Sequence, residues 1–304
     1  MVITLDNGQA KITVRPDLGA GLTRYDVLSG GKWLPIFRRV SDTVEHPFAL
    51  SHILLAPFSG RVSGGGFTFD GVFHAVARNM PTEEYPIHGS GFSSPWTVVQ
   101  QTSDIIALTL RSDGPGPFRY DAYVIYRLEG ADLAMELTIA NRASIRLPYG
   151  AGFHPWFVRD EQTYLTATAT QVWLESDDHL PQSIGLVSHY PNMDFNMKRL
   201  LPSSWINNWF TGWDRRARID WTKRRISLEI EASENLCHYV VFSPSSDADF
   251  FCFEPVSHPV DAFNLVGGPE THGMKILSPG AELLVQMSIR PRTLYGGVKL
   301  MGRL

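Results

Sequence analysis

Residues 120–141 read YDAYVIYRLEGADLAMELTIAN. In the second half Leu133, Met135, Leu137 and Ile139 alternate with Ala134, Glu136 and Thr138, and the first half is rich in aromatic and β-branched residues at the same spacing. A period of two puts one set of side chains on each face of a strand, whereas a helix would need a period of 3.6. Between the halves, Glu129-Gly130-Ala131-Asp132 supplies turn chemistry, with a glycine free to adopt positive φ. The stretch therefore predicts an antiparallel hairpin with one apolar face.

The same grammar recurs in both directions. AKITVRP (10–16), DIIALTLRS (104–112), YLTATATQVWLES (164–176), RISLEIEA (225–232), HYVVFS (238–243) and AELLVQMSIRPR (281–292) alternate or are rich in β-branched and aromatic residues. Asp70-Gly71 joins FTFD to VFHAVA as a second hairpin. The 26 glycines and 20 prolines break up most candidate helices. SSWINNWFTGWD (203–214) is ambiguous and compatible with a short helical turn. No repeat of fixed period and no Ser/Gly/Pro linker interrupts the chain. The expectation is one all-β domain over residues 1–304, a large antiparallel β-sandwich of roughly 20 strands. Such a sandwich can present a curved sheet wide enough for a small polar ligand.

Composition narrows the function. With 304 residues, 43% hydrophobic and 19% charged, the chain can bury a large core. A net charge of −4, with no basic run beyond the mixed RRARIDWTKRR (215–225), argues against nucleic acid as a partner. Cys237 and Cys252 are too few for a disulfide scaffold or a CxxC-type zinc site. The start, MVITLDNGQAKITV, lacks a basic and then apolar leader, and no apolar run approaches the ~20 residues of a membrane helix. A cytoplasmic protein without a membrane partner is expected. Phosphate-cradling glycine motifs, HExxH, HxH and GxSxG are all absent.

Four stretches remain that packing alone does not explain. APFSGRVSGGGFTFDG (56–71) carries Arg61 in a turn-rich segment, which read by itself is as readily a surface arginine. EYPIHGSGFSSPW (84–96) carries His88 beside Gly89, a residue that permits close backbone approach to a ligand. YGAGFHPWF (149–157) sets His154 among aromatics, where a hydrogen-bonded core histidine is the plainer explanation. DFFCFEPVSHP (249–259) ends an aromatic strand at Glu254, and burying that carboxylate costs several kcal/mol unless it is paired. Together, an acid-capable histidine and a poorly solvated carboxylate make a proton-transfer pair. Trp156, Trp209, Trp213 and Phe263 are candidate faces for a sugar, or simply core.

These stretches resemble, in order, the motifs of the aldose 1-epimerase (mutarotase) family. SGRVSGGGFTFDG is similar to its Arg-Ile/Val segment, IHGSGFSSPW to its His-Gly…Trp motif and GFHPWF to its Gly-x-His-Pro motif. FEPVSHPVDAFN is similar to Glu-Pro…Pro-x-Ala-Phe-Asn, and NNWFTGWDRRARI to a Trp-Asp segment. Trp156 stands where Tyr or Phe is commoner, and Arg215-Arg216 follow Asp214 where a Gly is often found.

The resemblance implies a galactose mutarotase-like supersandwich that interconverts sugar anomers without metal or organic cofactor. Glu254 would be the general base at the anomeric hydroxyl and His154 the general acid at the ring oxygen. Arg61, His88 and Asp214 would bind the sugar. Two alternatives stay open: a hexose-6-phosphate 1-epimerase using Arg215, Arg216 and Arg218 as a cationic subsite, and a non-catalytic carbohydrate-binding sandwich. A polysaccharide lyase would call for a longer basic cleft or a helical domain, and neither is visible. A monomer and a homodimer are equally compatible with the chain.

Overall fold

The computed structural model describes residues 1–294. Its 24 strands form one sheet of eleven, one of nine and two small pairs, with only antiparallel pairing between named strands. The expected hairpin is there, Tyr120–Glu129 pairing with Asp132–Asn141 from Tyr120 opposite Asn141 to Glu129 opposite Asp132. Gly66–Phe69 and Val72–Ala75 form the other one, around Asp70-Gly71. Regular helix among the described residues is confined to Gly268–Thr271 and three short 3₁₀ turns.

The two large sheets differ in how their strands are buried. In the nine-stranded sheet Asp132–Asn141 alternates strictly between half-exposed and buried, and Glu282–Thr293 likewise alternates over most of its length. One face meets the core and the other meets water, as in most antiparallel sheets. At the centre of the eleven-stranded sheet, His52–Leu55 is wholly buried, and Gly152–Val158 and Phe250–Val256 are buried at all but one end residue. These strands are covered on both faces. Phe153, Phe157, Phe251 and Phe253 point into the main core, which holds residues of both large sheets. Ile53, Leu55, Trp156, Cys252 and Val256 belong to a second apolar cluster, with Met80, Ile87, Phe92 and Val260 from the covering loops.

The ambiguous stretch resolves as a strand. Ile206–Thr211 pairs with Gln171–Glu175 and His238–Ser243, sending Phe210 to the main core and Trp209 to the second cluster. Two-sided burial removes the polar half of the alternation, which is why local pattern could not separate strand from helical turn.

Candidate active site

Gly152–Val158 and Phe250–Val256 pair so that Gly152 faces Val256 and Trp156 faces Cys252. That register places His154 against Glu254. Period-two alternation sends both away from the main core, into a cleft of about 410 Å³ on the outer face of the large sheet. His154 Nε2 lies 3.3 Å from Glu254 Oε1, and the two residues are 8% and 4% exposed. The His154 ring stacks on Trp156 with centroids 3.9 Å apart, and the Arg38 guanidinium sits 4.6 Å from the Trp156 ring.

Loops build the near wall. His88 Nδ1 accepts from the Gly60 amide at 3.0 Å, so its proton resides on Nε2. His88 also donates its own amide to Gly60 O at 2.9 Å. The neighbouring Ser59 amide donates to His258 Nε2 at 3.1 Å, while His258 Nδ1 donates to Pro259 O. Asp261 accepts from the amide and hydroxyl of Ser63, and Asn264 donates to Asp261. Much of the VSHPVDAFN stretch thus clamps the segment that carries Arg61. Arg61 in turn donates to Glu83 from Nε at 3.0 Å, with a second guanidinium nitrogen at 2.8 Å. Gly89 does make a close approach, but to backbone: an added Cβ would meet Ala56 O at 2.2 Å.

Burial dominates the electrostatics. Desolvation pushes the Glu254 carboxyl up to about 8, against a smaller opposing pull from Arg61. Desolvation drives His154 well below its ordinary value, helped by His88, His52 and Arg38 nearby. The Nδ1 of His154 is buried without a partner among the described residues. His88 falls to about 3 for the same reason, reinforced by Arg61 and His258. In the resting site, then, burial favours the pair with one proton between carboxyl and imidazole and both groups neutral. Cys252 Sγ joins the pair as a third donor, the three ligand atoms lying within 4.8 Å of one another. Strand pairing creates this trio, and no spacing in the sequence announces it. Its thiol is raised well above the ordinary range by desolvation and by Glu254, so the thiolate that a metal needs is disfavoured.

Of the five expected site residues, His154, Glu254, Arg61 and His88 line this one cleft. Asp214 does not. It is exposed in the turn after Ile206–Thr211, where it accepts from the Arg216 amide, and it lines a separate hollow with Arg215, Arg216 and Glu231. Arg215, Arg216 and Arg218, the phosphate subsite of the alternative reading, do not line the cleft either; Arg216 faces Glu231 at 3.6 Å and Arg218 faces Asp220 at 2.9 Å. Among the candidate aromatics, Trp156 and Trp209 line the cleft, whereas Trp213 and Phe263 belong to the main core. The sequence reading missed Arg38, Glu83, Phe48 and Phe250 on the cleft wall, and His179, Trp205 and Asn207 at its far end. Asn207 and Phe250 lie in stretches the sequence singled out, NNWFTGWDRRARI and DFFCFEPVSHP, but nothing there marked them for the cleft, and the others carried no motif; all converge only through the sheet and its loops. A hollow of about 430 Å³ on the outer face of the nine-stranded sheet is lined by Arg127, Glu129, Glu136 and Arg290, and no buried acid–base pair lines it.

The family model described as aldose 1-epimerase matches residues 1–290. The uncharacterized protein YphB of Escherichia coli (strain K12) is 30% identical over 294 residues, covering 90% of this chain and 97% of that one. A crystal structure from Escherichia coli K12, provisionally described as an aldose 1-epimerase, superposes with a TM-score of 0.89 at 28% identity, covering 97% of this chain and 99% of that one. Galactose 1-epimerase from Lactobacillus acidophilus NCFM shares the fold at a TM-score of 0.75 and 16% identity, covering 97% and 95% of the two chains.

Proposed function

This chain belongs to the aldose 1-epimerase family, and on that premise we propose that it interconverts the α and β anomers of a neutral aldose by general acid–base catalysis. The observation that carries the reading is the 3.3 Å pair of His154 Nε2 and Glu254 Oε1 on the floor of an aromatic cleft. Shifting the shared proton from Glu254 to His154 converts the neutral pair into imidazolium and carboxylate without changing the proton count. Glu254 then takes the proton of the anomeric hydroxyl while His154 delivers one to the ring oxygen. The C1–ring oxygen bond breaks and C1–O1 becomes a carbonyl. Rotation about C1–C2 and closure by the reverse transfers give the other anomer. Each positioned group typically contributes 10²–10⁴-fold. His88, with its proton on Nε2, and Arg61 donate to sugar oxygens.

A neutral sugar is favoured over a phosphorylated one because both cleft arginines are engaged, Arg61 by Glu83 and Arg38 by the carbonyls of Phe48 and Leu50. The test is anomer exchange by NMR or polarimetry on freshly dissolved aldoses, neutral and 6-phosphorylated, with chelator present. Acceleration by the wild type, lost in folded Glu254→Gln, is expected. Full activity in that variant would reduce Glu254 to a buried structural carboxylate.

A further inference from the structure

The floor of the cleft carries a donor set that anomer exchange does not need. His154, Glu254 and Cys252 stand on two strands paired antiparallel at the centre of the large sheet. Trp156 faces Cys252, which puts His154 opposite Glu254, and Cys252 lies two residues along from Glu254 on the same face. The His154 ring stacks on Trp156 and so leans toward the Cys252 end of the pair. The three residues are 8%, 4% and 0% exposed, and one donor atom from each lies within 4.8 Å of the other two. Paired strands, unlike a loop, hold such a trio ready-made.

A tetrahedral zinc ion holds nitrogen and oxygen ligands at about 2.1 Å and sulfur at about 2.3 Å, which spaces its ligand atoms roughly 3.4–3.6 Å apart. His154 Nε2 and Glu254 Oε1 already stand 3.3 Å apart. The sulfur has at most about 1.4 Å to close. Imidazole, carboxylate and thiolate together suit zinc and its softer relatives, whereas magnesium and calcium want oxygen ligands. Binding would displace two protons, the one shared by His154 and Glu254 and that of the Cys252 thiol. A divalent ion therefore enters the buried trio without changing its net charge. Three protein ligands leave the fourth position for water from the cleft. The far nitrogen of His154, Nδ1, has no partner among the described residues. Metal-ligating histidines normally donate that N–H, and losing the acceptor costs about 10–100-fold in affinity. The trio is thus suited to an ion that comes and goes rather than to a resident one. We propose that His154, Cys252 and Glu254 form a reversible site for zinc or a similar divalent ion, and that the bound ion stops anomer exchange by taking both proton-transfer groups as ligands. The inhibition rests on the acid–base reading of the cleft; the site itself does not.

The experiment titrates the chelator-treated full chain with Co²⁺, followed by absorption, and then with Zn²⁺. One equivalent of cobalt is expected to bind with the near-ultraviolet charge-transfer band of a cobalt thiolate, and zinc should erase that band. Cys252→Ser should abolish the band and weaken zinc binding by more than about 100-fold, beyond what losing a ligand's outer partner costs. Cys237→Ser, which changes the other cysteine, should keep the band. Glu254→Gln carries the test if Cys252→Ser fails to fold by circular dichroism: it should keep the band and lose affinity. Anomer exchange by the wild type should fall as zinc is added and recover with chelator, whereas Cys252→Ser, measured against its own chelated rate, should resist. No thiolate band in the wild type, a band that survives in folded Cys252→Ser, or unchanged affinity in Glu254→Gln would overturn the site and leave the catalytic reading standing. Full exchange at saturating zinc would overturn the inhibition. A Cys252-dependent band in a protein that exchanges no sugar would keep the site and sink the catalytic reading.

Discussion

The outer faces of the two large sheets had the same raw material and came to opposite ends. On the nine-stranded sheet the outward residues are charged or polar side chains in water, such as Arg127, Glu136 and Arg290. On the eleven-stranded sheet the outward residues at the centre are roofed by loops, and there His154 and Glu254 sit almost without water. A carboxylate in the first setting is an ordinary solvated acid. In the second its proton affinity is pushed up to about 8, which suits the base role proposed for it. The roof, not the residue type, makes the difference.

Phe153 and His154 bring that contrast down to neighbouring positions on one strand, one facing the core and the other the cleft. His154→Asn and Glu254→Gln are expected to lower kcat by on the order of 10²–10⁴-fold with little change in folding, read by anomer exchange and thermal melting. Phe153→Ala should do the reverse. It removes a fully buried ring and should cost about 3–5 kcal/mol of stability in denaturant titration, while the protein that remains folded keeps its turnover. Similar kinetic defects in both would erase the distinction between the faces.

The pH response sharpens the same contrast. Glu254 is raised in the folded state from 4.5 to about 8, so its contribution to stability is full below pH 4.5 and is lost as pH rises through 8. Glu254→Gln should therefore gain on the wild type across that window, by up to a few kcal/mol at pH 9, measured as the difference in melting temperature between pH 5 and pH 9. His88 and His154 are lowered, so their contributions hold above pH 6.5 and fade as pH falls. The kcat/KM of the wild type should fall above about pH 8, where the pair loses its shared proton. No alkaline limb up to pH 10 would contradict the shared-proton site.

Smaller effects follow from the loops. Asp261→Ala frees Ser63 and should raise KM several-fold through Arg61, with kcat less affected. Asp214→Asn, outside the cleft, should leave KM within about twofold of the wild type. A large KM increase in Asp214→Asn would bring that turn back to the sugar.

The all-β class and the individual hairpins are determined by the sequence alone, because alternation and turn chemistry act between near neighbours, as in Tyr120–Asn141. His154 and Glu254 were likewise legible, a histidine among aromatics and a carboxylate closing a buried strand. Which polar residues share a cleft was decided only by tertiary structure. Asp214 follows a strand that reaches the cleft at Asn207, yet it emerges at the other end of that strand. Glu175, Trp205 and His179 meet through pairing and turns that no local pattern encodes. Strand order, register and the loops folded over one face set those distances, and they depend on contacts between residues far apart in the chain. The same long-range covering set the proton affinity of Glu254, because desolvation is a property of the surroundings and not of the residue.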